Sequence, residues 1–265
     1  MYEITSVTPT ICELMNVIPP KGASAPPINY IVEAAREILK EGVVEKALLY
    51  APDAIGEWLF QAHKNKFIHV LKIAPIQVEV RSMMPSNTPV CYASMFTGMK
   101  PAEHGITKYM RPVLQVETMF DALAKSGKRV ALVAEKDCTI DLIFRDRDID
   151  YYREEYDPQV EERTHKLLET DDYDVIVVYQ WEYDDLMHRS TPTDPKAIEA
   201  FKRHLETFKR LAEAFNERYH NKNRVIAFLP DHGTHLDPDT GKGSHGTDSP
   251  EDMEVRHFWG VYKGE

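Results

Sequence analysis

Residues 225–233 read Val225-Ile226-Ala227-Phe228-Leu229-Pro230-Asp231-His232-Gly233: five apolar residues, a proline stop, then an Asp-His pair against glycine. A short run that is apolar throughout is the mark of a strand covered on both faces. A polar cluster just past its C-terminal end lies where open α/β sheets bind their ligands. Other segments follow the same plan. Residues 46–50 lead to Asp53, and residues 175–179 lead to Trp181-Glu182-Tyr183-Asp184-Asp185-Leu186-Met187-His188. Met84-Pro85-Ser86-Asn87-Thr88-Pro89 opens a helix that ends near Gly98.

Working outward, the apolar runs at 46–50, 67–73, 129–134, 175–179, 225–229 and 257–261 are candidate strands. Helical spacing marks residues 28–39, 57–63, 118–125 and 195–220. In the last of these Ile198, Phe201, Leu205, Phe208, Leu211 and Phe215 form one apolar stripe, which is core packing. The alternation predicts an α/β fold: a mostly parallel central sheet with helices on both faces. Residues 136–172, dense in charge and tyrosine, read as an irregular excursion over the sheet edge. Residues 233–248 read as a long surface loop of the kind that carries function.

With 265 residues and 43% hydrophobic content, one domain over 1–265 is expected, without a large cap domain. The formal charge of −11 argues against a nucleic-acid-binding surface, which needs a basic face. An anionic small molecule remains compatible, because divalent cations invert a local field. Cys12, Cys91 and Cys138 are odd in number and widely spaced, which points to a reducing compartment. The N-terminus lacks the basic-then-apolar pattern of a secretory leader, and no apolar stretch approaches a membrane span. A cytoplasmic protein is the expectation; the oligomeric state is left open.

Asp53, just past a strand and before a helix, is either a site residue or a helix cap. Thr88 before Pro89 reads as N-cap then first helical residue, a position that faces free N–H groups and the positive end of the helix dipole. Ser86 competes with it as nucleophile, from a less favourable offset. Asp184 and His188, four apart, point to one face of a helical turn and can share a metal. Asp231-His232 directly follow a strand, and Gly243-Ser244-His245-Gly246 adds His245. His235 and His257 are given no role. Nitrogen and carboxylate ligands suit zinc, with manganese or iron as alternatives. Arg189 and Lys242 lie beside these residues and are either charge neutralisers or solvated cations.

Taken in order, Asp53; Thr88 with Thr97-Gly98 nine residues on and Pro101, His104-Gly105-Ile106 beyond; Asp184-x-x-x-His188 with Pro192; Asp231-His232-Gly233; and Gly243-x-His245-Gly246 resemble the alkaline phosphatase superfamily. The nearest branch is that of the nucleotide pyrophosphatase/phosphodiesterases. The resemblance spans residues 46 to 246 and implies an alkaline phosphatase-like fold and a metal-dependent phosphoester hydrolase. It implies two divalent ions: one on Asp184, His188 and His245, the other on Asp53, Asp231, His232 and the Thr88 oxygen. It also implies Thr88 as nucleophile, a phosphothreonine intermediate and a small phosphoester or nucleotide substrate; His104 supports the fold. Relatives carry Asn three residues after the nucleophile, where this chain has Cys91. A sulfatase is disfavoured, since Cys91 is not followed by x-Pro-x-Arg. A phosphomonoesterase, a phosphomutase and a non-catalytic metal scaffold are the other readings.

Overall fold

The computed structural model describes residues 1–170 and 172–265. In chain order the strands are β1 (Tyr2–Glu3), β2 (Lys46–Pro52), β3 (Ile76–Arg81), β4 (Val130–Glu135), β5 (Asp150–Glu154), β6 (Val175–Gln180), β7 (Arg224–Phe228), β8 (His235–Leu236), β9 (Gly243–Ser244) and β10 (Glu254–Tyr262). The helices are α1 (Val7–Leu14), α2 (Asn29–Leu39), α3 (Glu57–Ala62), α4 (Ile68–Ile73), α5 (Thr88–Thr97), α6 (Pro101–His104), α7 (Met119–Lys125), α8 (Thr139–Ile143), α9 (Asp157–Thr170), α10 (Glu182–Arg189), α11 (Pro195–Arg218) and α12 (Pro250–Met253).

Eight strands form one sheet in the order β1-β3-β10-β7-β2-β6-β4-β5, and β8 and β9 form a separate hairpin. The sheet is parallel except at β10, which runs antiparallel to both β3 and β7. Along β2, β6 and β7 successive side chains alternate between the two faces. Ala47, Leu49, Val175, Val177 and Ala227 join a core with α1, α2, α5 and α7. Leu48, Tyr50, Ile176, Val178 and Phe228 join another with α3, α4 and α11. Both faces are therefore covered, which is why these strands are apolar through their middles, with Lys46, Gln180 and Arg224 only at their ends.

The helical stripe on α11 lands as its spacing predicts: Phe208 lies 5.7 Å from Tyr50 and 5.2 Å from Phe228, ring centre to ring centre. Aromatic side chains buried this way each contribute about 1.5–3 kcal/mol.

The run 67–73 is a correction: it contains α4, not a strand. Val70 and Ile73, three apart, pack inward while Ile68 is exposed, which is helical and not alternating burial. The strand of this region is β3, whose Ile-Gln-Val-Glu-Val-Arg alternates cleanly. Within 136–172, residue 171 lies outside the described residues. Much of the remainder is regular: α8, the edge strand β5 and the 14-residue α9. The helix α1 also went unread: seven of its eight residues are buried, Thr8 and Thr10 among them, so it shows no broad polar face.

Candidate active site and metal centre

Each candidate ligand except His245, which follows the separate β8–β9 hairpin, leaves the sheet at a strand's C-terminal end or on the helix that follows. Asp53 sits one residue past β2, and its amide donates to Gln180 O at 2.9 Å. It does not cap α3, whose N-cap is Gly56. Ala54 takes a left-handed φ of 65°, and that turn points its N–H at Asp231 Oδ1, 3.2 Å away. Thr88 is the first residue of α5 rather than its cap. Asn87 is the N-cap, because its Oδ1 accepts from the Val90 amide. The Thr88 hydroxyl, 5% exposed, donates to Asp53 Oδ2 at 3.2 Å and lies 3.4 Å from His232 Nε2. Asp184 and His188 both lie on α10, and His245 follows β9.

The ligand atoms gather into two groups. Those of Asp53, Asp231 and His232, and those of Asp184, His188 and His245, each lie within 4.8 Å of one another. The histidine tautomers are fixed by backbone carbonyls, which only accept. His188 Nδ1 donates to Gly243 O, His232 Nδ1 to Gly233 O and His245 Nδ1 to Ser86 O, at 2.9–3.0 Å. All three Nε2 lone pairs therefore face the site. His188 Nε2 and His245 Nε2 stand 3.0 Å apart with no proton to share, and 3.4 and 3.5 Å from Asp184 Oδ1. His232 Nε2 is 3.4 Å from both Asp53 Oδ1 and Asp231 Oδ2.

Buried Asp53 Oδ1, Asp184 Oδ1 and Asp231 Oδ2 have no hydrogen-bond donor. Lone pairs aimed at lone pairs and undonated carboxylate oxygens are unfavourable without positive charge between them, so the donor set fits divalent cations. The electrostatics agree. Burial pushes the Asp53 carboxyl up to about 6, against hydrogen bonds from Tyr179 and Thr88 that pull it down. Burial, then the Asp53 charge, hold Asp184 and Asp231 well above the usual carboxylate range. Burial, then neighbouring histidines, push His232 far down and His245 down to about 4; burial also lowers His188.

Close packing fixes the loops. A Cβ on Gly233 would meet Glu251 O at 2.0 Å, and one on Gly243 would meet Met187 O at 2.6 Å. Glycine at 243 thus lets the hairpin lie on α10, where its carbonyl orients His188.

Ser86, the competing hydroxyl, is committed elsewhere: its Oγ donates to Thr247 O and accepts from Gly246 N, clasping the loop of His245. Cys91 is fully buried, with its sulfur near Met83 O and the Ser82 hydroxyl. His104 bonds Ser94, His235 bonds Asp252 and His257 bonds Pro230 O. Arg189 pairs with Asp185 at 2.7 Å, and Lys242 is exposed and does not line the cleft.

Four contributors escaped the sequence reading. The Tyr179 hydroxyl donates to Asp53 Oδ2. Buried Asp252 accepts from Thr247 N and Oγ1, and so anchors the chain two residues past His245. At the start of α10, Asp157 accepts from the amides of Trp181 and Glu182, and His204 Nε2 accepts from that of Tyr183. Only Tyr179 left a signal, as an alternate-face residue at the polar end of an apolar strand.

The site opens into a cleft of about 520 Å³ that runs past Asp53, Thr88, Asp184 and His245 to Trp181, Lys136 and Arg111.

Among proteins of known structure, the human ectonucleotide pyrophosphatase / phosphodiesterase 5 superposes with a TM-score of 0.60 at 13% identity, over 82% of this chain and 88% of that one. Phosphonoacetate hydrolase from Sinorhizobium meliloti gives 0.52 at 19% identity, over 74% of this chain and 59% of that one. The C-terminal periplasmic domain of EptC from Escherichia coli gives 0.53 at 12%, over 84% and 74%. At these identities the likeness is one of fold. No curated protein matches by sequence. The family model for type I phosphodiesterase / nucleotide pyrophosphatase matches residues 51–243, most of the chain and every candidate ligand except His245. The chain therefore belongs to the type I phosphodiesterase / nucleotide pyrophosphatase family of the alkaline phosphatase superfamily, and is a metal-dependent phosphoester hydrolase.

Proposed function

We propose that the chain is a two-metal hydrolase that works through a phosphothreonine at Thr88 on a small phosphodiester or a nucleotide-type pyrophosphate. The observation that carries this reading is the buried Thr88 hydroxyl at a helix start, 3.2 Å from Asp53 of one ligand group and open to the cleft shared with the other. Asp184, His188 and His245 would hold one divalent ion, and Asp53, Asp231, His232 and the Thr88 oxygen the other. Bound there, two such ions supply positive charge to the attacking and leaving oxygens of an in-line displacement.

The protein's own residues do the rest. Asp53 Oδ2 receives the Thr88 O–H, which turns the hydroxyl lone pairs toward the cleft. Tyr179 holds that carboxylate in place. The Thr88 oxygen forms a bond to phosphorus as the bond to the leaving oxygen breaks. The positive end of α5 favours the charge that gathers on the phosphoryl oxygens. Water then cleaves the phosphothreonine and restores the hydroxyl. Cys91, turned away toward Met83 O, offers the phosphoryl group no donor at the position where relatives carry Asn. Imidazole and carboxylate donors favour zinc, with manganese the alternative. Structural neighbours point the same way: an inactive threonine-to-alanine variant of the murine ectonucleotide pyrophosphatase / phosphodiesterase 5 is described in complex with AMP, and the EptC domain in complex with zinc.

We further assign the whole chain to one catalytic domain in a reducing, cytoplasmic setting. Cys12, Cys91 and Cys138 are all free and buried, and no helix among the described residues is long and apolar enough to cross a membrane. The test is catalytic efficiency of the metal-loaded protein on mono- and bis-nitrophenyl phosphate and on nucleotide substrates, with a diester or pyrophosphate expected to lead. A monoester preference above about 100-fold, roughly 2.7 kcal/mol, overturns the phosphodiesterase reading and leaves the two-metal site standing.

A further inference from the structure

The cleft runs along the C-terminal edge of the sheet, from β7 and β2, which bring Asp231 and Asp53, over β6 to β4. Its wall beyond β6 is built by Glu135, Lys136 and Asp137 at the end of β4, by Trp181 and Asp185, and by Tyr109 and Arg111 from the loop before α7. On that wall the acids are engaged. Asp185 pairs with Arg189 at 2.7 Å, Asp137 with Arg145 at 2.6 Å, and Glu135 accepts from Trp181 Nε1 at 2.7 Å. The cations are not. Among the described residues neither Lys136 nor Arg111 meets a carboxylate; Arg111 Nη1 donates only to the backbone carbonyl of Asp137. In a chain of net charge −11, two cations without acidic partners thus face one stretch of the cleft. Lys136 follows β4, two strands along the sheet edge from β2, which brings Asp53. Trp181, pinned by Glu135, lies between the two ends as a fixed aromatic surface.

We propose that the far wall is a second anion subsite: the substrate carries a carboxylate or a further phosphate on its organic body, held by Lys136 and Arg111, while that body lies along Trp181. This assignment rests on the reading of Thr88 as the phosphoryl-accepting end. A planar guanidinium and an ammonium are together suited to either anion. The subsite separates such substrates from neutral phosphoesters that share the same scissile bond.

Two ligands with the same phosphonate test it: para-(phosphonomethyl)benzoate and the matching benzamide, titrated calorimetrically into the zinc-loaded full chain. The benzoate is expected to bind at least about tenfold tighter, and raised salt should narrow the gap. Arg111→Gln with Lys136→Gln should abolish the preference, and Lys242→Gln, outside the cleft, should keep it. Equal affinities in the wild type, or a preference that survives the double variant, overturn the subsite. Replacing the carboxylate by a phosphate in the same ligand shows which anion is held more tightly. Because binding is read without turnover, the two readings fail separately. Tighter benzoate binding with no ester hydrolysed sinks the catalytic reading alone, whereas hydrolysis with no preference sinks the subsite alone.

Discussion

Thr88 and Ser86 stand two residues apart, both hydroxyls are buried, and the structure gives them opposite surroundings. Thr88 Oγ1 is bonded to a candidate ligand and lines the cleft, whereas Ser86 Oγ spends its bonds on Thr247 and Gly246. Thr88→Ala should therefore lower turnover by at least about 10³-fold, roughly 4 kcal/mol, at any metal concentration. Ser86→Ala should instead loosen the chain that carries His245 and weaken metal binding about 10–100-fold, so that excess zinc restores activity. Metal titrations of both variants, followed by turnover, decide the matter; a zinc-rescued Thr88→Ala would move the nucleophile elsewhere. Asp53, Thr88, Asp184, Asp231 and His232 were legible because each stands past an apolar strand's end or at a helix start; His188 followed from its four-residue spacing to Asp184, and His245 from its glycine-flanked motif. The supporting roles of Ser86, Asp252 and Asp157 were not. They act through backbone amides and carbonyls, and such contacts leave no pattern in residue type.

α10 shows how an element carries a site. Two of its eight residues are candidate ligands, and its first amides are met by side chains from other helices: the Asp157 carboxylate and His204 Nε2. The hydrogen bonds behind them run one way. His204 Nδ1–H donates to the Tyr50 hydroxyl, which donates to Gln180 Oε1, and Gln180 Nε2 donates to Asp157 O. Asp157→Ala should cost about 1–3 kcal/mol through the lost cap. It should also lower metal retention at the Asp184–His188–His245 group while sparing the Asp53 group, as read by zinc content after graded chelation. Uniform loss from both groups would refute this role.

His204 must stay neutral to accept, and burial, with the Arg203 charge adding, pushes it down to about 3. The unfolded chain gains a proton near pH 6.5 and the folded chain does not, so this contribution is full above 6.5 and lost as pH falls toward 3. His204→Gln can keep both bonds without the titration. Its stability relative to wild type should improve by about 1–2 kcal/mol between pH 7 and 5 in urea unfolding; an unchanged gap would mean that His204 is protonated in the fold. At this scale legibility followed periodicity. The amphipathic α11 and the apolar β2, β6 and β7 are read directly, whereas the stretch 67–73 holding α4 reads as a strand because seven residues, five of them apolar, fit either period.

At the scale of the molecule, the sheet gathers acids and unprotonated imidazoles from residues 53 to 245 onto one edge, and α/β order made that convergence legible. What sequence order did not convey was the antiparallel β10, whose side chains read the same in either direction. The cost of gathering those groups falls on the metal-free fold. Buried Asp53, Asp184 and Asp231 face one another and three imidazole lone pairs, so removing metal leaves repulsion that only protonation or opening relieves. Ions that bind the folded chain stabilise it by about 2.7 kcal/mol at 100 times their dissociation constant. For a chain of this size that corresponds to about 5–10 °C in Tm. Chelation at pH 8 should lower Tm by at least that much, and zinc should restore it. The metal-free protein should recover part of the loss on acidification toward pH 6, because protonating Asp53 removes charge from the cluster; the carboxylates raised in the fold are stabilised as pH falls, opposite to His204. Calorimetric scans with and without chelator at the two pH values measure both effects. A Tm indifferent to chelator would mean that no ion binds between these ligands.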